Sequence, residues 1–209
     1  MPRILTDDDV AEFRERLCEA AERLFAEQGP QAVSMRQLAA ELGVSPMTPY
    51  RYFKDKDDIL AAVRASGFDR FAAALEAAHA SGADAGARGR GAAVGDAYVR
   101  FALEHPAAYR LMFDLEQPTE ADHPDLLRAA SRARATLTDY IDSLIRDGVI
   151  EGDANEIALV FWAALHGLIV LRLAGKLSAD VDFDHVRATM TGALGRGLAP
   201  RARAPGRPA

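Results

Sequence analysis

The sequence has little of several features that would point to a particular class of protein. It contains a single cysteine, Cys18, which excludes an internal disulfide framework and fits a reducing compartment. Its formal net charge is −6 at pH 7, so binding to an anionic partner could rest only on a local basic patch. The first fifteen residues turn acidic at once and have no apolar segment, so no signal peptide is expected.

Long apolar runs, metal-ligand spacings and catalytic motifs are also missing. The longest uncharged run, residues 157–171, is shorter than the roughly 20 apolar residues that a membrane span needs. The five histidines form no pair at the usual ligand spacing, so we expect no metal and no cofactor. We find no nucleophile elbow and no paired catalytic groups, so the sequence predicts a protein that is not an enzyme. Without an expected signal peptide or membrane span, it also predicts a cytoplasmic location.

Helical periodicity is present along nearly the whole chain, and no convincing period-2 run is found. This pattern predicts an all-α fold with an N-terminal three-helix domain, a long connecting helix and a C-terminal helical domain. The predicted boundaries are residues 7–54 for the first domain, 55–80 for the connecting helix, 81–91 for a flexible connector, 92–197 for the second domain and 198–209 for a disordered tail.

The segment "SMRQLAAELGVSPMTPYRYF", residues 34–53, has the form of a helix-turn-helix. Leu38 and Leu42 form the inner face of a first short helix, and Gly43 supplies the bend. Residues 31–56 carry four basic and two acidic side chains, a local balance of +2 in an acidic protein. The pattern favours DNA binding, although a compact three-helix packing unit without a ligand would show the same pattern.

Two prolines lie at the start of the second helix of this pair. If Ser45 is the N-cap, Pro46 occupies the first helical position, where a missing N–H costs little. If Thr48 is the N-cap, a shorter helix begins at Pro49. Both alternatives remain open, and in both the prolines mark a helix start.

Residues 20–63 closely resemble the N-terminal domain of the tetracycline-repressor (TetR) family in the order and spacing of their motifs. The marks are Ala21 and Phe25 before Gly29, then Leu38-Ala39, Gly43-Val44-Ser45, Tyr50, Tyr52-Phe53, Lys56 and Ile59-Leu60. The resemblance implies a DNA-binding regulator, with repression as the usual behaviour, that binds a palindromic double-stranded operator as a homodimer. It also implies release by a small-molecule effector.

The resemblance also implies roles for individual residues. Three groups are expected: Ser34 and Arg36 at phosphate and groove edge, Pro46, Met47 and Thr48 toward bases, and Tyr50, Tyr52 and Lys56 at phosphate. Phosphate contacts of this kind position a protein on DNA without reading sequence. Arg51 could reach a guanine or a phosphate, and both alternatives remain open.

The C-terminal half carries "FWAALHGLIVLRL", residues 161–173, in which Trp162 and His166 share one helix face. With Gly167, this spacing resembles a TetR subgroup that has a Trp/His/Gly-type C-terminal domain. Such a domain is expected to bind an effector, largely apolar in character, and to dimerise. The candidate pocket residues are Tyr98, Phe101, Tyr109, Phe113, Trp162 and His166. Each of them could equally be an ordinary core residue, and His166 a core histidine with an internal partner.

The apolar run at residues 158–174 and the last helix look too apolar for free surfaces, so they are the expected dimer interface. Its candidate residues are Leu165, Ile169, Met190 and Leu194. Two other functions remain as alternatives: a protein-binding adaptor that uses these apolar helices without binding DNA, and a small helical enzyme.

Overall fold

The computed structural model describes residues 6–82, 86–114 and 119–200. Within these ranges the chain forms eight α-helices and two single 3₁₀ turns, and no β-strand. The helices are α1 (Asp7–Gln28), α2 (Met35–Glu41), α3 (Lys56–Ser81), α4 (Gly86–Glu104), α5 (Pro106–Phe113), α6 (Pro124–Arg146), α7 (Ala154–Leu173) and α8 (Phe183–Gly197). The predicted all-α class is confirmed.

Capping residues account for where several helices begin. Thr6 and Asp9 form a reciprocal capping box at the start of α1, in which the Thr6 hydroxyl accepts from the Asp9 N–H at 3.1 Å and the Asp9 carboxylate accepts from the Thr6 N–H at 2.9 Å. The Asp153 and Asp182 carboxylates accept backbone N–H groups at the starts of α7 and α8. These local signals lie in the sequence itself, which is why the helices could be predicted.

The chain divides into two compact units. The first comprises the residues up to Ala72 together with Glu104–Ala133, and the second comprises Ala73–Leu103 and the chain from Arg134 onward. This division differs from the predicted boundaries, because α5 and the start of α6 belong with the N-terminal helices. Leu111 of α5 is buried in the same apolar cluster as Leu17, Phe25 and Leu38.

Aromatic and basic contacts bind α5 to α3 within the first unit. The Phe113 ring meets Phe68 edge-on, with ring centroids 5.4 Å apart, and Tyr109 lies 4.8 Å from Phe113. Arg64 is buried and donates to the Met112 carbonyl at 3.4 Å, and this burial lowers the pKa of its guanidinium. The first unit is therefore larger than a three-helix domain.

The second unit is built from α4, most of α6, α7 and α8. One apolar cluster joins the end of α6 to the start of α7 through Ile141, Leu144, Ile150, Ile157 and Ala158. The turn between these helices closes at Gly148, whose φ of +67° suits glycine.

Two predicted irregular segments are shorter than expected. Residues 86–91 of the predicted connector are the first residues of α4, and Ser81 is still within α3. At the other end, Leu198 of the predicted tail packs against the α6–α7 cluster, and its carbonyl accepts the Glu151 N–H at 2.9 Å. These contacts could not be predicted from the amino-acid composition of the two segments. Residues 83–85 and 201–209 lie outside the described ranges.

The apolar helix α7 is longer than the uncharged run that the sequence displays. Its 20 residues make it long and apolar enough to cross a membrane by length and composition alone, and 28% of its most apolar window is buried within the chain. This criterion is also met by apolar helices of water-soluble proteins, and it is weak evidence for a span.

A close approach between α4 and α6 requires a glycine. A Cβ at position 91 would lie 1.5 Å from the Tyr140 hydroxyl oxygen and 2.1 Å from Cζ, whereas a Cβ at position 95 would have no neighbour within 4 Å. We expect Gly91→Ala to lower the free energy of unfolding by about 1–3 kcal/mol, because the Tyr140 ring must move. Gly95→Ala is the matched control on the same helix and should raise the free energy of unfolding by up to about 1 kcal/mol. Urea unfolding followed by circular dichroism measures both, and equal stability of the two variants would contradict the predicted clash.

Candidate functional site

The predicted helix-turn-helix begins with a well-defined first helix. Ser34 caps α2, its hydroxyl accepting the Gln37 N–H at 3.2 Å, and Leu38 is fully buried. The helix ends in a Schellman motif at Gly43, where Val44 N–H donates to the Ala39 carbonyl at 3.0 Å. Gly43 has φ +66°, a conformation that glycine adopts without a Cβ clash.

The second helix of the pair is shorter than the sequence suggested. Residues 46–48 form a turn, and only Pro49–Arg51 is helical, as a 3₁₀ turn with Thr48 in the N-cap position. The start at Pro46 is therefore wrong, and the alternative start at Pro49 is the one observed. Pro49 has no N–H to donate to the Ser45 carbonyl, which accepts from Thr48 N–H at 2.9 Å instead. The chain continues with hydrogen bonds that join residues three apart, as in a 3₁₀ helix, such as the one from Arg51 N–H to the Thr48 carbonyl at 3.1 Å.

Exposed side chains collect at this proline-stiffened start. Met47 is 67% exposed and Tyr50 is 49% exposed, which is unusual for side chains of their size. Pro46 and Arg51 are exposed as well, while Pro49 is buried and anchors the turn. The segment therefore presents apolar, aromatic and cationic groups from a rigid base, an arrangement that suits insertion into a DNA groove.

The base of this segment is held by contacts from α1. The Tyr52 ring stacks on Phe13 with centroids 4.3 Å apart, and Arg14 donates to the Tyr52 carbonyl. The Arg14 guanidinium also lies over the Phe53 ring, 4.0 Å from its centroid. Tyr52 is thus half-buried and has a packing role, in addition to any phosphate contact through its hydroxyl.

Lys56 has partners inside the chain. Its Nζ donates to the Pro30 carbonyl at 2.6 Å and lies 3.4 Å from the Gln31 carbonyl, so it ties the start of α3 to the loop before α2. The predicted phosphate contact requires the remaining donor capacity of the ammonium group. Ser34 and Arg36 are exposed at the start of α2, and Thr48 is half-buried, with its hydroxyl oxygen 3.2 Å from that of Ser45. The predicted DNA-contact residues all belong to one segment of the sequence, from Ser34 to Lys56.

A cavity of about 650 Å³ lies within the second unit. Its walls come from α4, α6, α7 and α8 and are mostly apolar, with Val94, Tyr98, Ile141, Phe161 and Leu165 among the lining residues. This volume falls in the range of small-molecule sites.

Only Tyr98 among the six predicted pocket residues lines this cavity. Tyr109 and Phe113 pack in the first unit, and Phe101 is buried in the second. Trp162 and His166 lie with ring centroids 6.4 Å apart, half-buried, and burial lowers the pKa of His166 below its usual value. The α7 face that lines the cavity belongs instead to Ala158, Phe161 and Leu165, because one residue along a helix rotates the side chain by about 100°.

Two of the four predicted dimer residues require a correction. Leu165 is 7% exposed and Ile169 is fully buried, so neither lies on the surface of the subunit. Met190 and Leu194 on α8 are half-buried. The exposed face of α7 lies on the other side of the helix and is entirely apolar between residues 159 and 171. Its members are Leu159, Val160, Ala163, Gly167, Val170 and Leu171.

Sequence reasoning missed several residues that the structure brings to these sites. Arg14 was not singled out, and its contacts with Tyr52 and Phe53 have no signature in local periodicity. Tyr140 and Arg196 line the cavity but were not considered, because each lies on an amphipathic helix and matches no motif. Gly91 was an available signal of a close contact, because glycine is unfavourable within a helix and its presence there needs a reason.

Comparisons with known proteins agree with this architecture. Residues 17–63 match the family of bacterial regulatory proteins described as the tetR family, and residues 91–194 match the tetracyclin repressor-like C-terminal domain. An uncharacterized HTH-type transcriptional regulator of Mycobacterium tuberculosis is 29% identical over 191 residues, which cover 90% of this chain and 82% of that protein.

Solved structures show the same fold. A protein of unknown function from Rhodococcus sp. RHA1 aligns with TM-score 0.79 and 33% identity over 96% of this chain and all of the other. The TetR family regulator PfmR from Thermus thermophilus aligns with TM-score 0.67 and 23% identity over 88% of this chain and all of PfmR, a likeness of fold. The Trp/His/Gly-type subgroup stays a prediction. The two family matches and the helix-turn-helix at residues 34–53 show that the chain belongs to the TetR family of DNA-binding transcriptional regulators.

Proposed function

We propose that this regulator is a homodimeric repressor that binds a two-fold symmetric DNA operator and is released by a small molecule. The observation that carries the DNA-reading part is the exposed, proline-stiffened segment with Met47 and Tyr50 at its surface. Pro46, Met47 and Thr48 would face bases, and Tyr50 and Tyr52 would contact phosphates, together with Ser34, Arg36 and Lys56. Arg51 is exposed and would contact a base or a phosphate.

The proposed dimer surface is the exposed apolar face of α7, defined above as residues 159, 160, 163, 167, 170 and 171. Members of this family usually act as dimers, and an entirely apolar helix face is unfavourable in water. Two such faces packed together would remove this surface from water. Dimerisation has a functional reason as well, since two recognition segments would meet half-sites roughly 34–36 Å apart.

The proposed effector site is the 650 Å³ cavity of the second unit. Helix α3 contributes residues 56–72 to the first unit and residues 73–81 to the second, so we propose it as the element that transmits effector binding. The required coupling free energy is modest, about 1–3 kcal/mol. We also propose that the protein acts in the cytoplasm and has no enzymatic activity.

Operator selection followed by release tests this function. Genomic fragments bound by the purified protein are selected and sequenced, and we expect a palindromic site. Fluorescence anisotropy with that site should show affinity falling steeply with salt, because phosphate contacts release counterions. Screening metabolites for release of the protein–DNA complex then identifies effectors.

Two results would contradict the proposal. Absence of any enriched palindrome, with no salt-dependent affinity for DNA, would favour the protein-binding adaptor. Operator affinity that stays unchanged at saturation with every molecule that binds the cavity would show that release is not by an effector.

A further inference from the structure

The cavity of the second unit carries information about the chemistry of its occupant, and the inference drawn from it rests on the proposed effector function. The informative feature is which of its polar groups already have partners. A polar group of the lining that has no protein partner is satisfied by water or by a ligand.

Most polar groups of the cavity wall are paired within the protein. Arg187 donates to the Asp96 carboxylate and lies 3.5 Å from that of Asp184. The Thr191 hydroxyl donates to the Arg187 carbonyl of its own helix at 3.0 Å. These groups stabilise the wall and leave little hydrogen-bonding capacity for a ligand.

Two lining groups differ. Neither the Tyr140 hydroxyl nor the Arg196 guanidinium has a hydrogen-bond or ion-pair partner among the residues that the structure describes. The Tyr140 side chain is half-buried, whereas Arg196 is an exposed member of the lining. Burial raises the pKa of Tyr140 to about 12, so its hydroxyl is protonated at neutral pH and can donate a hydrogen bond. Both open groups are therefore donors.

The charge of the lining points in the same direction. Its charged members among the described residues are Arg187, Arg196 and Asp96, two arginines against one aspartate, a balance of +1. The surplus cation is Arg196, because Arg187 and Asp96 are paired with each other. One open guanidinium matches a single negative charge, and its planar donors suit the two oxygens of a carboxylate.

The remaining wall is apolar, from Val94 and Tyr98 on α4 to Phe161 and Leu165 on α7. A fully polar molecule would lose its hydration there without compensation. We propose that the cavity binds an amphiphilic monoanion, whose apolar body lies against these helices and whose carboxylate accepts from Arg196 and Tyr140.

Three probes with the same ten-carbon chain test the proposal: decanoate, decanol and decylamine. Each is titrated calorimetrically into the full-length protein without DNA. We expect decanoate to bind at least tenfold more tightly than decylamine. Arg196→Gln should weaken decanoate binding about tenfold and leave decanol unchanged, while Tyr140→Phe should weaken both about threefold.

Arg100→Gln is the matched control, since Arg100 on α4 is exposed, as Arg196 is, but does not line the cavity. It removes the same charge and should leave all three affinities unchanged. Thermal unfolding of each variant confirms that the fold is retained, and the Arg196 variant keeps the proposal testable if Tyr140→Phe is unstable.

Three outcomes would overturn the proposal: decylamine binding as well as decanoate, an unchanged decanoate affinity in Arg196→Gln, or no binding of any probe at millimolar concentration. Operator release is measured separately. If decanoate binds through Arg196, and neither decanoate nor any other molecule that binds the cavity releases the operator, the effector half of the proposed function fails and this inference stands. If only uncharged or cationic molecules bind and release the operator, this inference fails and the proposed function stands.

Discussion

Val170→Glu is expected to convert the proposed dimer to a monomer and to reduce operator affinity at least a hundredfold. Val170 is 43% exposed on the apolar face of α7, so a glutamate is tolerated in the isolated subunit, where it meets water. In a dimer built on that face the carboxylate is desolvated in each of two copies, and an unpaired buried charge is strongly unfavourable. Sedimentation velocity at micromolar concentration measures the change.

The matched control for this variant is Leu127→Glu. Leu127 is also 43% exposed, but it lies on α6 in the first unit and is not a member of the proposed interface. It should sediment like the parent protein and bind the operator normally. If Val170→Glu remains a dimer of unchanged stability, the proposed interface is wrong and the apolar face of α7 has another occupant.

Tyr50→Ala is expected to weaken binding to operator and to nonspecific DNA alike, by roughly thirtyfold. In the proposed complex each half-site would lose one hydroxyl hydrogen bond to phosphate, worth about 1 kcal/mol, and the dimer would lose two. The slope of affinity against salt should stay nearly unchanged, because tyrosine carries no charge. Anisotropy titrations over a range of salt concentrations with operator and scrambled duplexes measure both quantities.

Tyr52 provides the contrast. Its ring stacks on Phe13, so Tyr52→Ala should lower the melting temperature, whereas Tyr50→Ala should not because its ring is half exposed. Tyr52→Phe keeps the ring and removes only the hydroxyl, which isolates any phosphate contact made by Tyr52. Parental DNA affinity in Tyr50→Ala would show that the exposed ring does not face the DNA backbone.

Much of the fold could be predicted because its signals are local. Ser34, Asp153 and Asp182 cap helices through side chains that reach only three residues along the chain. Gly43 ends α2 by a backbone conformation that its own residue type permits. Such features need no knowledge of the distant chain, and the TetR resemblance of residues 20–63, which the comparisons confirm, rests on the same local spacing.

The sites were less accessible to prediction because they depend on how helices are rotated against one another. Leu165 and Ile169 were expected on the dimer surface from their place in an apolar helix, yet they are buried in the subunit. An all-apolar helix such as α7 has no polar stripe to show which face is inside. For the same reason the prediction named Trp162 and His166 as pocket residues of α7, whereas Phe161 and Leu165 line the observed cavity.

The sequence by itself determined the helical class, the approximate limits of most helices, the helix-turn-helix and the family. The tertiary structure decided that the second helix of the helix-turn-helix starts at Pro49 and that Lys56 donates to the loop before α2. It also decided which faces of α7 line the cavity and meet water. The physical reason is the range of the interactions: capping and helix periodicity act within a few residues, whereas burial and side-chain partners are set by segments that meet only in the folded chain.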